Sequence, residues 1–169
     1  MPSTSTSTVV VVEATTCSAF THAPRPERAA ARWTDLPLLG CPVGEGYISD
    51  TLDDDGHAAR ALVLLPDDAR PGRPVNARPV ALLRAEREGQ PAEETVCVDA
   101  DDHDFDQITG PDDLAAWHAG PDALAQVWDH LTHHATTRQA TSDGPFAARA
   151  HLDHTRHAYQ RLTGCLDWA

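Results

Sequence analysis

The sequence contains no lysine: all 13 of its basic residues are arginine, set against 26 aspartate and glutamate residues, for a formal net charge of −13. A chain this acidic lacks the basic surface that binds nucleic acid, and an anionic membrane surface repels it. We therefore expect neither a nucleic-acid partner nor a membrane partner. The lysine-free composition, rich in Ala, Asp and Pro, favours a bacterial protein from a GC-rich genome.

Cysteine pairs and long apolar runs are also lacking. The four cysteines (Cys17, Cys41, Cys97 and Cys165) form no CxxC pair, which is typical of reduced thiols rather than of a disulfide framework or a zinc site. The N-terminal apolar run Val9–Val12 is too short for a signal peptide or a membrane span. Both observations predict a cytoplasmic protein.

The length of 169 residues suits one domain with a sizeable core. Residues 1–8 are rich in Ser and Thr and predict a disordered tip, followed by a single domain over residues 9–169. With only 5% aromatic residues, the core is expected to consist mainly of Val, Leu and Ala.

Short β-branched and apolar runs come first in the chain, and helical patterns come last. The predicted strands are Val9–Ala14, Gly46–Leu52, Ala61–Leu65, Val75–Arg84 and Thr95–Val98. Predicted helices begin at Pro111 and at Pro121, the second running to about His134, and a third runs from about Pro145 to Thr163 and ends at Gly164. This order indicates an α+β protein: a small, closed five-stranded β-barrel with helices packed outside, mainly C-terminal.

Several motifs resemble the soluble (family I) inorganic pyrophosphatases. Residues 46–52, GYISDTL, followed by Asp55-Gly56, resemble that family's GYIPDTLxxDGDPxDVLV. Residues 78–80 (RPV), 105–108 (FDQI) and 127–130 (VWDH) follow in the family's order and with nearly its spacing. The resemblance implies an OB-like barrel, the pyrophosphatase fold, and an ancestral diphosphate hydrolase. It also makes a homo-oligomer plausible.

The chain departs from this family at the positions that would hold metal. The family signature DGDxxD reads DGHAAR here, so that His57 and Arg60 replace two aspartates while Asp55 remains. The family's hairpin pattern DxxxxDxK becomes Arg87, Ala92 and Glu94. At the other expected active-site positions, Glu45 stands where the family has a tyrosine, and Trp33 stands at or next to the position of the family's phosphate-binding arginine. The family's residues are retained at Glu13 and Tyr47.

These replacements predict a poor pyrophosphatase. The family's hydrolysis uses several Mg²⁺ ions held by carboxylates. A guanidinium about 4 Å from such an ion costs about 4 kcal/mol per unit charge at an effective dielectric constant of about 20. With arginine at positions 60 and 87, we expect the local charge to be reversed and no cofactor to be bound. If any metal is retained, Asp55 is its ligand.

The leading hypothesis is therefore a pseudo-pyrophosphatase repurposed as a metal-independent acid/base enzyme of bacterial specialised metabolism. Its chemistry would be of the hydrolase or cyclase/lyase type, and its substrate would be a small organic molecule, either neutral or anionic. The predicted catalytic residues are Asp55, His57, Glu45, Tyr47 and Glu94. The predicted substrate-binding residues are Arg60, Arg87, Trp33 and Glu13.

Two alternatives stay open. The first is a non-catalytic binding or regulatory protein in which Arg60 pairs with Asp55 and closes the old site. The second is residual Mg²⁺-dependent diphosphatase activity that uses Asp55, Glu13 and Glu94, with Asp53 and Asp54 nearby. Two histidine clusters, at positions 130, 133 and 134 and at positions 151, 154 and 157, are interpreted as solvent-exposed helix faces.

Overall fold

The structure is a computed structural model that describes residues 7–16, 41–66, 71–132 and 137–164. Its strands are β1 (Thr8–Thr15), β2 (Val43–Ile48), β3 (Arg60–Leu64), β4 (Pro74–Arg87), β5 (Gln90–Asp99) and β6 (Thr137–Asp143). Its α-helices are α1 (Pro111–Ala115), α2 (Pro121–Thr132) and α3 (Pro145–Thr163), and a short 3-10 helix covers His103–Phe105. None of the helices in the described part has the length and apolar character needed to cross a membrane.

The six strands form one mixed sheet that closes into a ring. Their order is β1-β2-β3-β5-β4-β6, and β1 also pairs with β4, so that five strands complete the ring and β6 extends it at β4. The β3–β5 pair is parallel and the other pairs are antiparallel. The predicted α+β fold with a closed five-stranded sheet and external helices is confirmed.

Successive side chains of a strand point to opposite faces of the sheet, so each strand contributes residues to two different hydrophobic cores. In β3, Leu62 and Leu64 belong to a cluster that includes Leu114 of α1 and Trp128 of α2. Ala61 and Val63 belong to a second cluster. Leu152 of α3 joins that second cluster, so helices cover the sheet on both faces. Burial on both faces explains why β3 reads as a continuous apolar run.

The sequence-based boundaries hold best for α3. This helix runs over Pro145–Thr163 as predicted, and Gly164 ends it in a left-handed conformation with φ 68° while donating its N–H to Gln160 O. The strand at Thr137–Asp143 was not predicted. Its sequence, TRQATSD, has no apolar alternation, and its position is set by pairing with β4.

Gly46 of β2 lies opposite Val12 of β1, close against the backbone of that strand. A Cβ atom at this position would lie 1.9 Å from the carbonyl oxygen of Val11, which is a backbone atom and has little freedom to move. We expect Gly46→Ala to lower the free energy of unfolding by about 3 kcal/mol or more, or to prevent folding. Gly120→Ala is the control, because no atom lies within 4 Å of its added Cβ. Equal urea midpoints for the two variants would contradict the register described for β1 and β2.

Candidate functional site

One cavity of about 760 Å³ opens where the ring, the β4–β5 hairpin, α2 and α3 meet. Among the described residues, its lining holds seven carboxyl groups, two guanidinium groups and two imidazoles. These are Glu13, Glu45, Asp53, Asp54, Asp55, Glu93 and Glu94; Arg60 and Arg87; and His151 and His154. The excess of carboxyl groups gives the cavity a negative character.

Arg60, the first residue of β3, forms ion pairs with two carboxylates. It donates from Nε to Glu45 Oε1 at 2.8 Å, from Nη2 to Glu45 Oε2 at 2.6 Å, and from Nη2 to Glu13 Oε2 at 2.6 Å. Burial alone would lower the pKa of Arg60, but the hydrogen bonds and charges of Glu45 and Glu13 outweigh it and raise that pKa. The guanidinium is therefore permanently charged, and its charge is offset locally by two carboxylates.

Arg87, at the end of β4, is bound in a similar way to α2. Its Nη2 donates to Asp129 Oδ1 at 3.2 Å and to Thr132 Oγ1 at 2.8 Å. The guanidinium carbon also lies 4.1 Å from the centroid of the Trp128 ring, within the range of a cation–π interaction. Arg87 is thus an anchor between the hairpin and the helix as well as part of the cavity wall.

These contacts correct two expectations. Arg60 and Arg87 do not reverse the charge of the site, because each is paired with carboxylates and the cavity keeps its excess of carboxyl groups. The expected closing pair of Arg60 with Asp55 is also wrong, since Arg60 pairs with Glu13 and Glu45. The sequence showed the charges but not how strand pairing would match them.

Glu94, on β5, is fully buried at the cavity. No described residue gives a hydrogen bond of good geometry to either of its carboxyl oxygens. Burial raises the pKa of Glu94 well above its ordinary value, the negative charge of the neighbouring Glu45 carboxyl and proton sharing with it add to this, and Arg60 and Arg87 act in the opposite direction. A fully buried carboxyl beside a second carboxyl is costly when it is ionised, so Glu94 needs either a proton, which it can share with Glu45, or a cation.

The acidic turn after β2 brings carboxylates to the cavity but not His57. Asp53 Oδ1 accepts the backbone N–H groups of Asp55 at 3.0 Å and of His57 at 2.9 Å, which shapes the turn. Asp54 and Asp55 are exposed and line the cavity, whereas His57 and Tyr47 are not part of its lining. The predicted acid/base pairing of Asp55 with His57 in one cavity is therefore not what the structure shows.

The C-terminal helix contributes two histidines that the sequence analysis assigned to a solvated face. His151 Nδ1 lies 2.9 Å from Glu93 Oε2, and His154 Nε2 lies 3.3 Å from Asp54 Oδ1. Only 17% of the His151 side chain is exposed. The sequence did offer one signal for this placement: both histidines are next to the core-facing residues of α3 along the chain. Of the other predicted residues, Trp33, His133 and His134 lie outside the described residues.

A magnesium ion fits the donor chemistry of this cavity. In the described ranges, no three His, Cys, Asp or Glu side chains converge into a ready-made metal cage. Magnesium does not require one, because it commonly keeps several waters and binds one or two carboxylates together with substrate phosphates. The buried carboxyl oxygens of Glu94 and the exposed carboxylate of Asp55 are hard oxygen donors of that kind.

The fold is a closed mixed sheet with a carboxylate-rich cavity. The family model described as inorganic pyrophosphatase matches residues 33–165. This chain belongs to the inorganic pyrophosphatase family.

Individual relatives agree with that assignment. An inorganic pyrophosphatase of Gluconobacter oxydans is 39% identical over 78 residues, which are 45% of this chain and 45% of the relative. One from Haloferax volcanii is 34% identical over 73 residues, 43% of this chain and 41% of the relative. The chain thus matches less than half the length of these curated relatives.

Solved structures show the same fold over more of the chain. The Thermus thermophilus inorganic pyrophosphatase superimposes with a TM-score of 0.65 at 20% identity, covering 95% of this chain and 94% of that one. The Helicobacter pylori enzyme gives a TM-score of 0.64 at 22% identity, covering 92% and 95%.

The family assignment corrects the expectation that no cofactor is bound. The matching relatives are named inorganic pyrophosphatases, which are Mg²⁺-dependent enzymes. The expectation failed because it treated Arg60 and Arg87 as uncompensated charges, whereas both are paired.

Proposed function

We propose that this protein hydrolyses a phosphoanhydride bond of a diphosphate and requires Mg²⁺ to do so. The observation that carries this proposal is the fully buried carboxyl of Glu94, beside Glu45, in a cavity whose described lining has far more carboxyl than guanidinium groups. Such a cavity repels a bare diphosphate but accepts one accompanied by a divalent cation. The family assignment supports the same reaction.

Each group of the cavity has a distinct task in this proposal. Glu94 and Asp55 hold the Mg²⁺, which supplies charge neutralisation and Lewis acidity. Arg60 keeps a donor for a phosphate oxygen, because no described residue accepts a hydrogen bond from its Nη1 group. Glu45 and Glu13 hold that guanidinium in place, and Trp128 stacks on Arg87 and fixes its orientation.

A non-catalytic binding protein is the second candidate, favoured by one observation. Glu45 and Glu13 already bind Arg60, so two of the seven carboxylates are engaged within the protein. In that case diphosphate would bind without turnover. The repurposed acid/base enzyme has less support, since His57 lies outside the cavity lining. Cytoplasmic location and a homo-oligomeric state stay predictions.

Phosphate release from inorganic diphosphate tests the proposal. We expect turnover with millimolar Mg²⁺, none in excess chelator, and a decrease of at least about tenfold in Asp55→Asn, about 1.4 kcal/mol in activation free energy. Asp50→Asn is the matched control. Asp50 is exposed, lies outside the cavity, and has φ 59°, a conformation that asparagine tolerates.

The outcomes separate the two candidates. Binding of diphosphate with no phosphate release would favour the binding protein. Phosphate release that persists in chelator, or that falls equally in both variants, would contradict the assigned role of Asp55.

A further inference from the structure

Arg87 and Glu94 lie on the same face of the β4–β5 hairpin. Glu94 pairs directly with Leu83, and Arg87 follows Leu83 by four residues in the same strand, so the three side chains point to one side. The pair between them is Ala85 with Ala92, whose short side chains fill little space. Arg87, Ala92 and Glu94 all line the cavity. This face of the hairpin therefore carries a carboxyl group at one end, a guanidinium group at the other, and room for a ligand between them.

The helix α2 covers the same face of the hairpin. Trp128, Leu131 and Thr132 line the cavity from the helix. Trp128 and Leu131 also belong to the core cluster against which Ala92 packs. The guanidinium carbon of Arg87 lies 4.1 Å from the centroid of the Trp128 ring. Arg87 is thus held between the hairpin and the helix, at the wall of the cavity.

One nitrogen of Arg87 is left for a ligand. Its Nη2 donates to Asp129 and Thr132, and its Nε is buried and has no partner among the described residues. No residue in the described ranges accepts a hydrogen bond from Nη1, and 15% of the side chain is exposed. A phosphate oxygen in the cavity can therefore accept a hydrogen bond from Nη1 while Nη2 keeps its partners.

Asp129 fixes the direction of this guanidinium. Its Oδ1 accepts from Arg87 Nη2 at 3.2 Å and also from Thr137 Oγ1, while its Oδ2 accepts the backbone N–H of Thr137 at 2.8 Å. Thr132 Oγ1 accepts from Arg87 Nη2 at 2.8 Å and donates to Trp128 O at 2.7 Å. The end of β4, the helix α2 and the start of β6 meet at the Asp129 carboxylate, which is itself outside the described cavity lining.

We propose that Arg87 binds one phosphate group of the diphosphate through Nη1, and that Asp129 is the residue that positions the Arg87 guanidinium. This inference rests on the proposed function, in which Glu94 holds the cation. A diphosphate carries more negative charge than one Mg²⁺ neutralises. Arg87 supplies positive charge across the Ala85–Ala92 pair from that cation. Arg87 thus contacts the substrate, and Asp129 acts on the substrate only through Arg87.

Isothermal titration calorimetry with methylenediphosphonate, a non-hydrolysable diphosphate, tests the inference in the presence of Mg²⁺. We expect Arg87→Met to bind this probe at least about tenfold more weakly, a loss of about 1.4 kcal/mol. The affinity for Mg²⁺ alone should not fall, because the substitution removes a positive charge near Glu94. Arg84→Met is the matched control: Arg84 lies in the same strand, is 51% exposed and is outside the described cavity lining, so both affinities should stay unchanged.

Two further variants separate binding from positioning. Arg87→Lys keeps the charge but cannot hold Asp129, Thr132 and a phosphate oxygen together, so it should weaken probe binding at least about threefold. Asp129→Asn should weaken probe binding in the same direction. Adding Asp129→Asn to Arg87→Met should cause no further loss, because Asp129 acts through Arg87. Urea midpoints of all variants establish that each is folded, and Arg87→Lys decides the question if Arg87→Met does not fold.

Unchanged probe affinity in the arginine variants would overturn this inference and leave the proposed function intact. An equal loss of probe affinity and Mg²⁺ affinity would also overturn it, because Arg87 would then only anchor the hairpin to α2. A further loss of probe affinity in the double variant would contradict the positioning role of Asp129. No binding of the probe by the wild-type protein would overturn both this inference and the proposed function.

Discussion

Glu94→Gln is expected to lower the Mg²⁺-supported rate of diphosphate hydrolysis at least about 100-fold, or about 2.7 kcal/mol in activation free energy. Glutamine has nearly the shape of glutamate but lacks the charge that attracts a divalent cation. Glu94 is fully buried at the cavity beside Glu45, so the substitution removes one of the two carboxyl groups that face each other there. Steady-state phosphate release at saturating Mg²⁺ measures the effect.

The same variant is expected to be more stable than the wild type when divalent cations are removed. The pKa of Glu94 is raised above its ordinary value of 4.5 in the folded state. Below that value both states hold the proton, so the two proteins should not differ. As the pH rises above it, the unfolded state releases its proton first, and the wild type loses stability relative to the variant until the folded pKa is passed.

Urea unfolding in chelator across this pH range provides the measurement. Each unit by which the folded pKa exceeds the unfolded one is worth about 1.4 kcal/mol. Asp112→Asn is a control, since Asp112 is exposed on α1 and outside the cavity. A glutamine variant that is less stable than the wild type at neutral pH would contradict the description of Glu94 as a buried acid whose ionisation destabilises the folded protein.

Arg60→Met is expected to lower the free energy of unfolding by about 2 to 3 kcal/mol. Removing one partner of a buried ion pair commonly costs about 3 to 5 kcal/mol, because the other charge is left buried. The smaller value applies because 37% of the Arg60 side chain is exposed, although Glu45 is only 3% exposed. Equilibrium urea unfolding at neutral pH measures the effect.

A second substitution identifies the cause of this loss. Adding Glu45→Gln to Arg60→Met should recover part of the lost stability, because it removes the stranded carboxylate. Arg149→Met is the matched control: Arg149 is exposed on α3, bonds only its own helix, and should change stability by less than about 0.5 kcal/mol. Equal losses of unfolding free energy for Arg60→Met and Arg149→Met would mean that the ion pairs of Arg60 with Glu13 and Glu45 contribute nothing to stability.

The strands of this protein could be read from the sequence because burial is strongly patterned. Val10 and Val12 alternate with less buried neighbours in β1, and residues 61–64 of β3 are all apolar because helices cover both faces of that strand. The strand β6 could not be predicted, since its stability comes from pairing with β4 rather than from burial of its own side chains. The position of β6 is therefore set by the strand with which it pairs, β4.

The site could be predicted only in part, again because strand pairing decides which residues meet. The sequence singled out Arg60, Glu45 and Glu13 separately, but their mutual pairing depends on the register of three strands. In that register Glu45 is two residues from Tyr47, which lies opposite Arg60. Charges that look uncompensated along the chain are compensated across the sheet. The prediction of charge reversal, and the absence of a cofactor that followed from it, failed on this point.

The histidines show the opposite error. His57 stands inside the family signature and was expected to act in the cavity, yet it is exposed beside the acidic turn. His151 stands in a polar helix with no motif, and helix packing places it against Glu93. A motif fixes position along the chain, while the packing of α3 decides which imidazole reaches the cavity.

Direct titration of Mg²⁺ into the metal-free protein at neutral pH tests the central claim, that paired arginines leave the cavity negative enough to bind a divalent cation. The account predicts saturable binding in the wild-type protein, with affinity reduced at least about tenfold, about 1.4 kcal/mol, in Glu94→Gln and unchanged in Asp112→Asn. Undetectable Mg²⁺ binding in the wild-type protein, with and without a diphosphate analogue, would contradict it.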